Sequence, residues 1–138
     1  MLTDYTIKGF LEKLGGLIQY GGSCYIGLSS TEPNVVGGGV TEPVGNGYAR
    51  ALFGTNGSNS ELNNAQVTDE GVLTNKNIIY FGEATGDWGE QKYYCLFSSA
   101  TGGNLLAYGE LTNPISPTSG TVPLVRVGEI KITLARGE

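Results

Sequence analysis

Residues 84–111 read ATGDWGEQKYYCLFSSATGGNLLAYGEL, two extended runs joined by a glycine turn. Tyr93 to Ser99 is rich in aromatic residues and Leu105 to Leu111 in apolar ones, with Ala100-Thr101-Gly102-Gly103-Asn104 between them. Glycine adopts positive φ without a steric penalty, which a short hairpin connection demands. The pattern predicts a β-hairpin that supplies the centre of an all-β core. The single tryptophan, Trp88, stands just before it between Asp87 and Gly89. We expect Trp88 to be buried against the hairpin, in a core that also holds Tyr94, Leu96, Leu106, Tyr108, Ile130 and Ile132.

Outward from the hairpin the chain continues in short strands. Ser23 to Ser29 alternates Cys24, Ile26 and Leu28 against Tyr25 and Gly27. Gly47 to Phe53 and Asn77 to Glu83 also read as strands, and Val67 and Val72-Leu73 as shorter ones. Asn113-Pro114 and Ser116-Pro117 are expected to break the chain, because proline cannot donate to a sheet ladder. Val122 to Val127 follows as a strand. Residues 129–135 close the pattern with Ile130, Ile132 and Leu134 inward and Glu129, Lys131 and Thr133 outward.

Only residues 3–20 carry helical spacing: Ile7, Phe10, Leu11, Leu14 and Ile18 make one apolar stripe, and Thr3 or Asp4 caps its start. So short a helix needs something to pack on. One reading closes an end of the sheets with it; the other makes it an arm on a neighbouring subunit. The fold expected is mainly β: an antiparallel sandwich or jelly-roll-like domain (21–138) with one N-terminal helix (1–20), in a single domain spanning 1–138.

Composition narrows the function. The chain has 138 residues, 23 of them glycine, with 15% charged and a net charge of −5. Its eight Lys and Arg are scattered, which argues against nucleic acid and against an anionic membrane surface. No apolar run approaches the ~20 residues of a membrane-spanning helix. The start, Met-Leu-Thr-Asp, lacks the basic and apolar regions of a secretory signal, so synthesis in a cytoplasm is expected. With two cysteines and no histidine, zinc sites and serine or cysteine triads are disfavoured. Cys24 and Cys95 are expected to be buried free thiols.

Glu83, Asp87 and Glu90 crowd around Trp88 and could serve a glycan-binding or glycan-cleaving site. A solvated acidic turn beside a core tryptophan is the better reading. Glu61, Asp69 and Glu70 could offer oxygens to Ca²⁺, but not in the order of an EF-hand loop. No phosphate-binding glycine loop is present. No catalytic residue, metal or cofactor is therefore expected. Two long stretches, Ser30–Asn46 and Gly54–Lys76, are polar and glycine-rich, and loops of that length are often functional.

Five segments carry a family likeness: YIGLSSTEP (25–33), GYARALF (47–53), EATGDWG (83–89), LFSSATGGNLLAYGELTNP (96–114) and the final IKITL (130–134). Their order resembles small structural proteins of tailed bacteriophages and prophages, usually labelled phage tail fibre proteins. The resemblance implies a non-enzymatic virion component of tail or fibre. Such a protein works by self-association and docking on other virion proteins, with contact to a host-surface glycan as a further role. A capsid decoration protein is the alternative within the virion. Virion assembly favours closed symmetry, so a homotrimer is expected, with Ile7, Phe10, Leu11, Leu14, Val35 and Val36 as candidate interface residues.

Overall fold

The structure is a computed structural model that describes residues 3–6, 23–55, 65–67, 72–75 and 77–133. Residues 4–6 form a helical turn, and the rest of the expected N-terminal stripe lies outside the described residues. Among the described residues nine strands follow: β1 (Ser23–Ser29), β2 (Ala51–Thr55), β3 (Ala65–Val67), β4 (Val72–Asn75), β5 (Ile79–Tyr80), β6 (Gln91–Phe97), β7 (Leu105–Ile115), β8 (Leu124–Val125) and β9 (Lys131–Thr133). They form a four-stranded sheet β2-β1-β6-β7, a three-stranded sheet β3-β4-β9 and a two-stranded ribbon β5-β8, with every pairing antiparallel.

The expected hairpin is the pair β6–β7. Gly102 and Gly103 both take positive φ in its turn, and the Ser98 N–H closes it on the Asn104 carbonyl. The four-stranded sheet packs its inner face on the two smaller sheets. Ile26, Leu28, Tyr94, Leu96, Ala107 and Leu111 meet Ile79, Val125, Ile130 and Ile132 in one buried cluster, joined by Phe53, Phe81, Ala84 and Trp88. The fold is thus an antiparallel β-sandwich with a short N-terminal helical turn. A second, smaller cluster lies on the outer face of the four-stranded sheet: Cys95, Phe97 and Leu105, with Val40 and Tyr108 against it.

Two bulges set which side chains reach which cluster. Leu96 pairs with Ala107, but the next residue, Phe97, pairs with Leu105. Leu106 is the extra residue, and it reverses the alternation of β7 at that point. Leu105 therefore faces outward with Phe97, while Ala107 and Leu111 face inward. Leu106 and Tyr108 are half-buried residues packed at the margins of the two clusters, and Leu105 and Ala107 are the buried ones. A matching bulge at Phe53 separates Cys24↔Gly54 from Tyr25↔Leu52, and Phe53 is fully buried there.

Strand ends also move. Residues 47–50 are not strand, because Gly45, Asn46 and Gly47 all take positive φ and turn the chain first. β7 runs through Asn113-Pro114 instead of breaking there, since it lies at the edge of its sheet and Pro114 has no neighbour to donate to.

Side chains cross-link the layers. The Tyr94 hydroxyl donates to the Lys131 carbonyl at 2.9 Å and accepts the Lys131 N–H at 3.2 Å, tying β6 to β9. Gly109 leaves room for it: a Cβ there would lie 2.3 Å from the Tyr94 hydroxyl. Asn75, fully buried, donates to the Asn77 and Arg126 carbonyls and accepts N–H bonds from Gly128 and Ile130.

Candidate assembly surface

Ser29, the last residue of β1, organises the loop that follows. Its hydroxyl donates to the Thr31 carbonyl at 2.6 Å and accepts the Thr41 N–H at 2.9 Å. Thr31 then donates to the Gly39 carbonyl, also at 2.6 Å. The loop is thus knotted at its base. At its tip the Asn34 carboxamide oxygen accepts the N–H groups of Val36 and Gly38, and the Asn34 N–H bonds the Gly38 carbonyl. Asparagine side chains bonded to backbone two residues on are a standard way to fix a turn. Val36 stands on this tip with 79% of its surface exposed, and Val35 beside it is also exposed.

The N-terminal turn is docked against the same place. Asp4 donates its N–H to the Val35 carbonyl, and Thr3 donates its own to the Leu106 carbonyl. The Thr3 hydroxyl bonds the Leu105 carbonyl at 2.7 Å and the Thr6 hydroxyl bonds Leu106. The carbonyls freed by the β7 bulge are thereby satisfied, and this end of an edge strand is covered. Tyr5, half exposed, joins Val35 and Val36 around an open cavity of about 370 Å³ that also reaches Asp4 and Leu105. Of the interface residues expected from sequence, Val35 and Val36 lie here. Ile7, Phe10, Leu11 and Leu14 lie outside the described residues.

Behind the tip, the outer face of the sheet is held by a polar clasp. Arg50, its side chain only 8% exposed, pairs with Glu42 at 2.7 Å and makes a second bond to it through Nε. Its remaining nitrogen donates to the Ser99 and Gly102 carbonyls in the hairpin turn. The guanidinium carbon sits 3.4 Å from the centre of the Phe97 ring, a cation–π contact. Tyr48 donates to Glu42 and accepts the Leu28 N–H. Burial pushes the Glu42 carboxyl up, but the bonds from Arg50 and Tyr48 and the Arg50 charge outweigh this and leave it below its ordinary 4.5. Gly27 makes the clasp possible, because a Cβ there would lie within 3.0 Å of Tyr48, Glu42 and Phe97. Each residue of the clasp looks ordinary in sequence; only the recurrence of Tyr and Arg on one stretch, 48–50, hints at it.

The remaining candidates separate. Trp88 is 6% exposed. It stands edge-on to Tyr48 and Phe81, and its indole N–H donates to the Asn46 carbonyl at 2.8 Å. Its ring packs on Tyr48 and Phe81 within the cluster that the hairpin residues Tyr94, Leu96, Ala107 and Leu111 also enter, the Gln91 side chain donates to its carbonyl, and it offers no face to a sugar. Glu83, Asp87 and Glu90 are exposed around it. Glu61, Asp69 and Glu70 lie outside the described residues. Among the described residues, no group of three or more His, Cys, Asp or Glu could hold a metal ion. Neither Cys24 nor Cys95 forms a disulfide.

The family model for the Podophage GP4 fiber I protein gp80 matches residues 3–133. The chain belongs to that family of phage fibre proteins and is a structural component of a virion. No curated protein matches the chain significantly.

Proposed function

We propose that the protein is a non-enzymatic fibre subunit, made in the cytoplasm of a bacterial host, that assembles as a homotrimer and docks on other virion proteins. The observation that carries this reading is the exposed apolar group Tyr5, Val35 and Val36, held on a hydrogen-bonded turn. Apolar side chains fixed in place lose little entropy on association, so a prearranged tip favours contact with a partner. In the sequence the apolar residues Ile7, Phe10, Leu11 and Leu14 follow directly after this turn. Membership of a fibre family supports a virion partner.

Sedimentation tests it. The intact chain is expected near three times 14.5 kDa at micromolar concentration, and Val36→Glu is expected to shift it toward the monomer without changing its circular dichroism. A wild-type monomer at that concentration would refute the trimer. A Val36→Glu protein that still forms trimers would remove this surface from the interface.

A further inference from the structure

A closed ring of three identical chains uses heterologous contacts, in which one patch of each copy meets a different patch of the next. The tip around Val36 is one such patch. A second is present on the ribbon β5–β8. Ile79 pairs with Val125 and both are buried, whereas Tyr80 pairs with Leu124 on the opposite face. The Phe81 N–H bonds the Pro123 carbonyl and extends this alternation. Ile78, Tyr80 and Val122 consequently stand outward on one face, with Tyr80 60% exposed and Val122 half exposed. No described element covers them. The face continues into a groove of about 440 Å³ between β7 and β8, lined among others by Leu111, Ile115, Leu124, Arg126 and Glu129.

Charge distinguishes the two patches. Asp4 lines the cavity at the tip, and its charge and that of Glu32 both act on Tyr108. Glu32 and Glu110 act likewise on Tyr93. The tip is thus apolar with an acidic margin. The ribbon carries Arg126, exposed and in no ion pair among the described residues, while Glu129, the carboxylate in the same groove, is engaged by the Thr112 N–H. Position separates them too. The tip adjoins Leu105 and the groove adjoins Ile115, the two ends of β7, about 33 Å apart at ~3.3 Å per residue. One copy therefore cannot bring its own patches together.

We infer that the outward face of the β5–β8 ribbon, with Arg126, is the surface on which the Val36 tip of a second copy docks. This rests on the self-association reading and names the missing half of its contact. Apolar area supplies the attraction, while Arg126 opposite Asp4 and Glu32 fixes the orientation.

Cysteine cross-linking tests it on the intact chain. Val36→Cys and Tyr80→Cys both replace exposed side chains, so folding should be retained, which circular dichroism checks. With a short bis-maleimide, the double variant is expected to give covalent species up to three copies, while each single variant and the wild type give none. Sedimentation is run in parallel on every variant. Covalent dimers from Val36→Cys alone would overturn the inference, because they show like patches meeting. A double variant that sediments as a trimer yet fails to cross-link would also overturn it and leave self-association standing. Monomers throughout, wild type included, would overturn the trimer itself and this contact with it.

Discussion

On one face of β6, Tyr94 and Leu96 enter an apolar cluster built by three sheets. On the other, Cys95 and Phe97 are covered by an irregular loop and the Arg50–Glu42 clasp. The inner cluster needs little more than apolar side chains of suitable volume. The outer layer has few of them, Val40 and Tyr108 among its margins, and depends on directed bonds from residues 29–50 to the hairpin turn. Apolar burial is tolerant of exchange, whereas a partly buried ion pair fails when either partner is removed. The outer layer is thus the more specified of the two although it buries less, and it is the layer that carries the Val36 tip.

The inner cluster is broken most severely at Trp88. Trp88→Ala removes a ring packed on Tyr48 and Phe81 and takes from the Asn46 carbonyl one of its two donors, leaving the Thr85 N–H. The expected loss of stability is about 3–5 kcal/mol, the range for large aromatic truncations in cores, measured by denaturant unfolding. A loss under about 1 kcal/mol would mean that the turn at 45–48 closes over the gap and that the inner cluster is not centred there.

Arg50→Met tests the outer layer. It keeps much of the side-chain volume but strands Glu42, frees the Ser99 and Gly102 carbonyls and abolishes the contact to Phe97. The expected loss is about 3 kcal/mol, the lower end for a broken buried pair, because Glu42 keeps 23% of its side chain exposed. The same clasp gives a pH dependence. Since the folded Glu42 carboxyl sits below its ordinary 4.5, its contribution is present above that value and is lost as pH falls through the folded one. Wild type should therefore lose stability below about pH 4.5 more steeply than Glu42→Gln, which has no carboxyl to protonate. Parallel acid profiles would show that the clasp adds nothing by charge.

The sequence displayed the inner layer far better than the outer. Alternation in Ser23–Ser29 and the glycine turn at 102–103 are local signals, and they placed β1, β6 and β7. The bulge at Leu106, which sends Leu106 and Tyr108 to the margins of two different clusters, was not legible, because nothing in LLAYGEL marks which leucine is extra. The partners of Trp88 were also invisible, since Tyr48 arrives from forty residues upstream after three consecutive positive-φ positions. The clasp was hidden for the same reason: Arg50 reads as one more residue of a strand until the loop returns Glu42 and the hairpin brings Ser99. Val35 and Val36 were readable as candidates because two adjacent valines in a glycine-rich loop have no strand to join.

Gly109 sharpens the inner layer on a smaller scale. Gly109→Ala would place a methyl group against the Tyr94 ring and hydroxyl, where the nearest atoms lie at 2.3 and 2.5 Å. Tyr94 cannot yield easily, being bonded to both backbone groups of Lys131. We expect a loss of about 1–3 kcal/mol, as for overpacked sites. A neutral result would mean that β7 shifts outward, and that the edge strand is looser than its bonds to the N-terminal turn suggest.

The smallest effect separates the layers without unfolding either. Cys95 is fully buried on the outer face, and its thiol is pushed up to about 12 by burial first and then by the Glu42 charge, against Arg50. At pH 8 only about one thiol in ten thousand is then ionised, and the thiolate is the reactive form. Iodoacetamide should leave Cys95 unmodified in the native protein and alkylate it once the chain is unfolded. If the clasp is what shuts the outer layer, Arg50→Met should open that layer locally. Cys95 should then react at least roughly tenfold faster under native conditions, the factor that a local loss of 1.4 kcal/mol gives. Gly109→Ala disturbs the inner layer instead and should accelerate Cys95 no more than its global destabilisation allows. Equal acceleration by both variants would mean that the two faces of β6 open as one unit, and the distinction between a tolerant core and a clasped outer layer would fail.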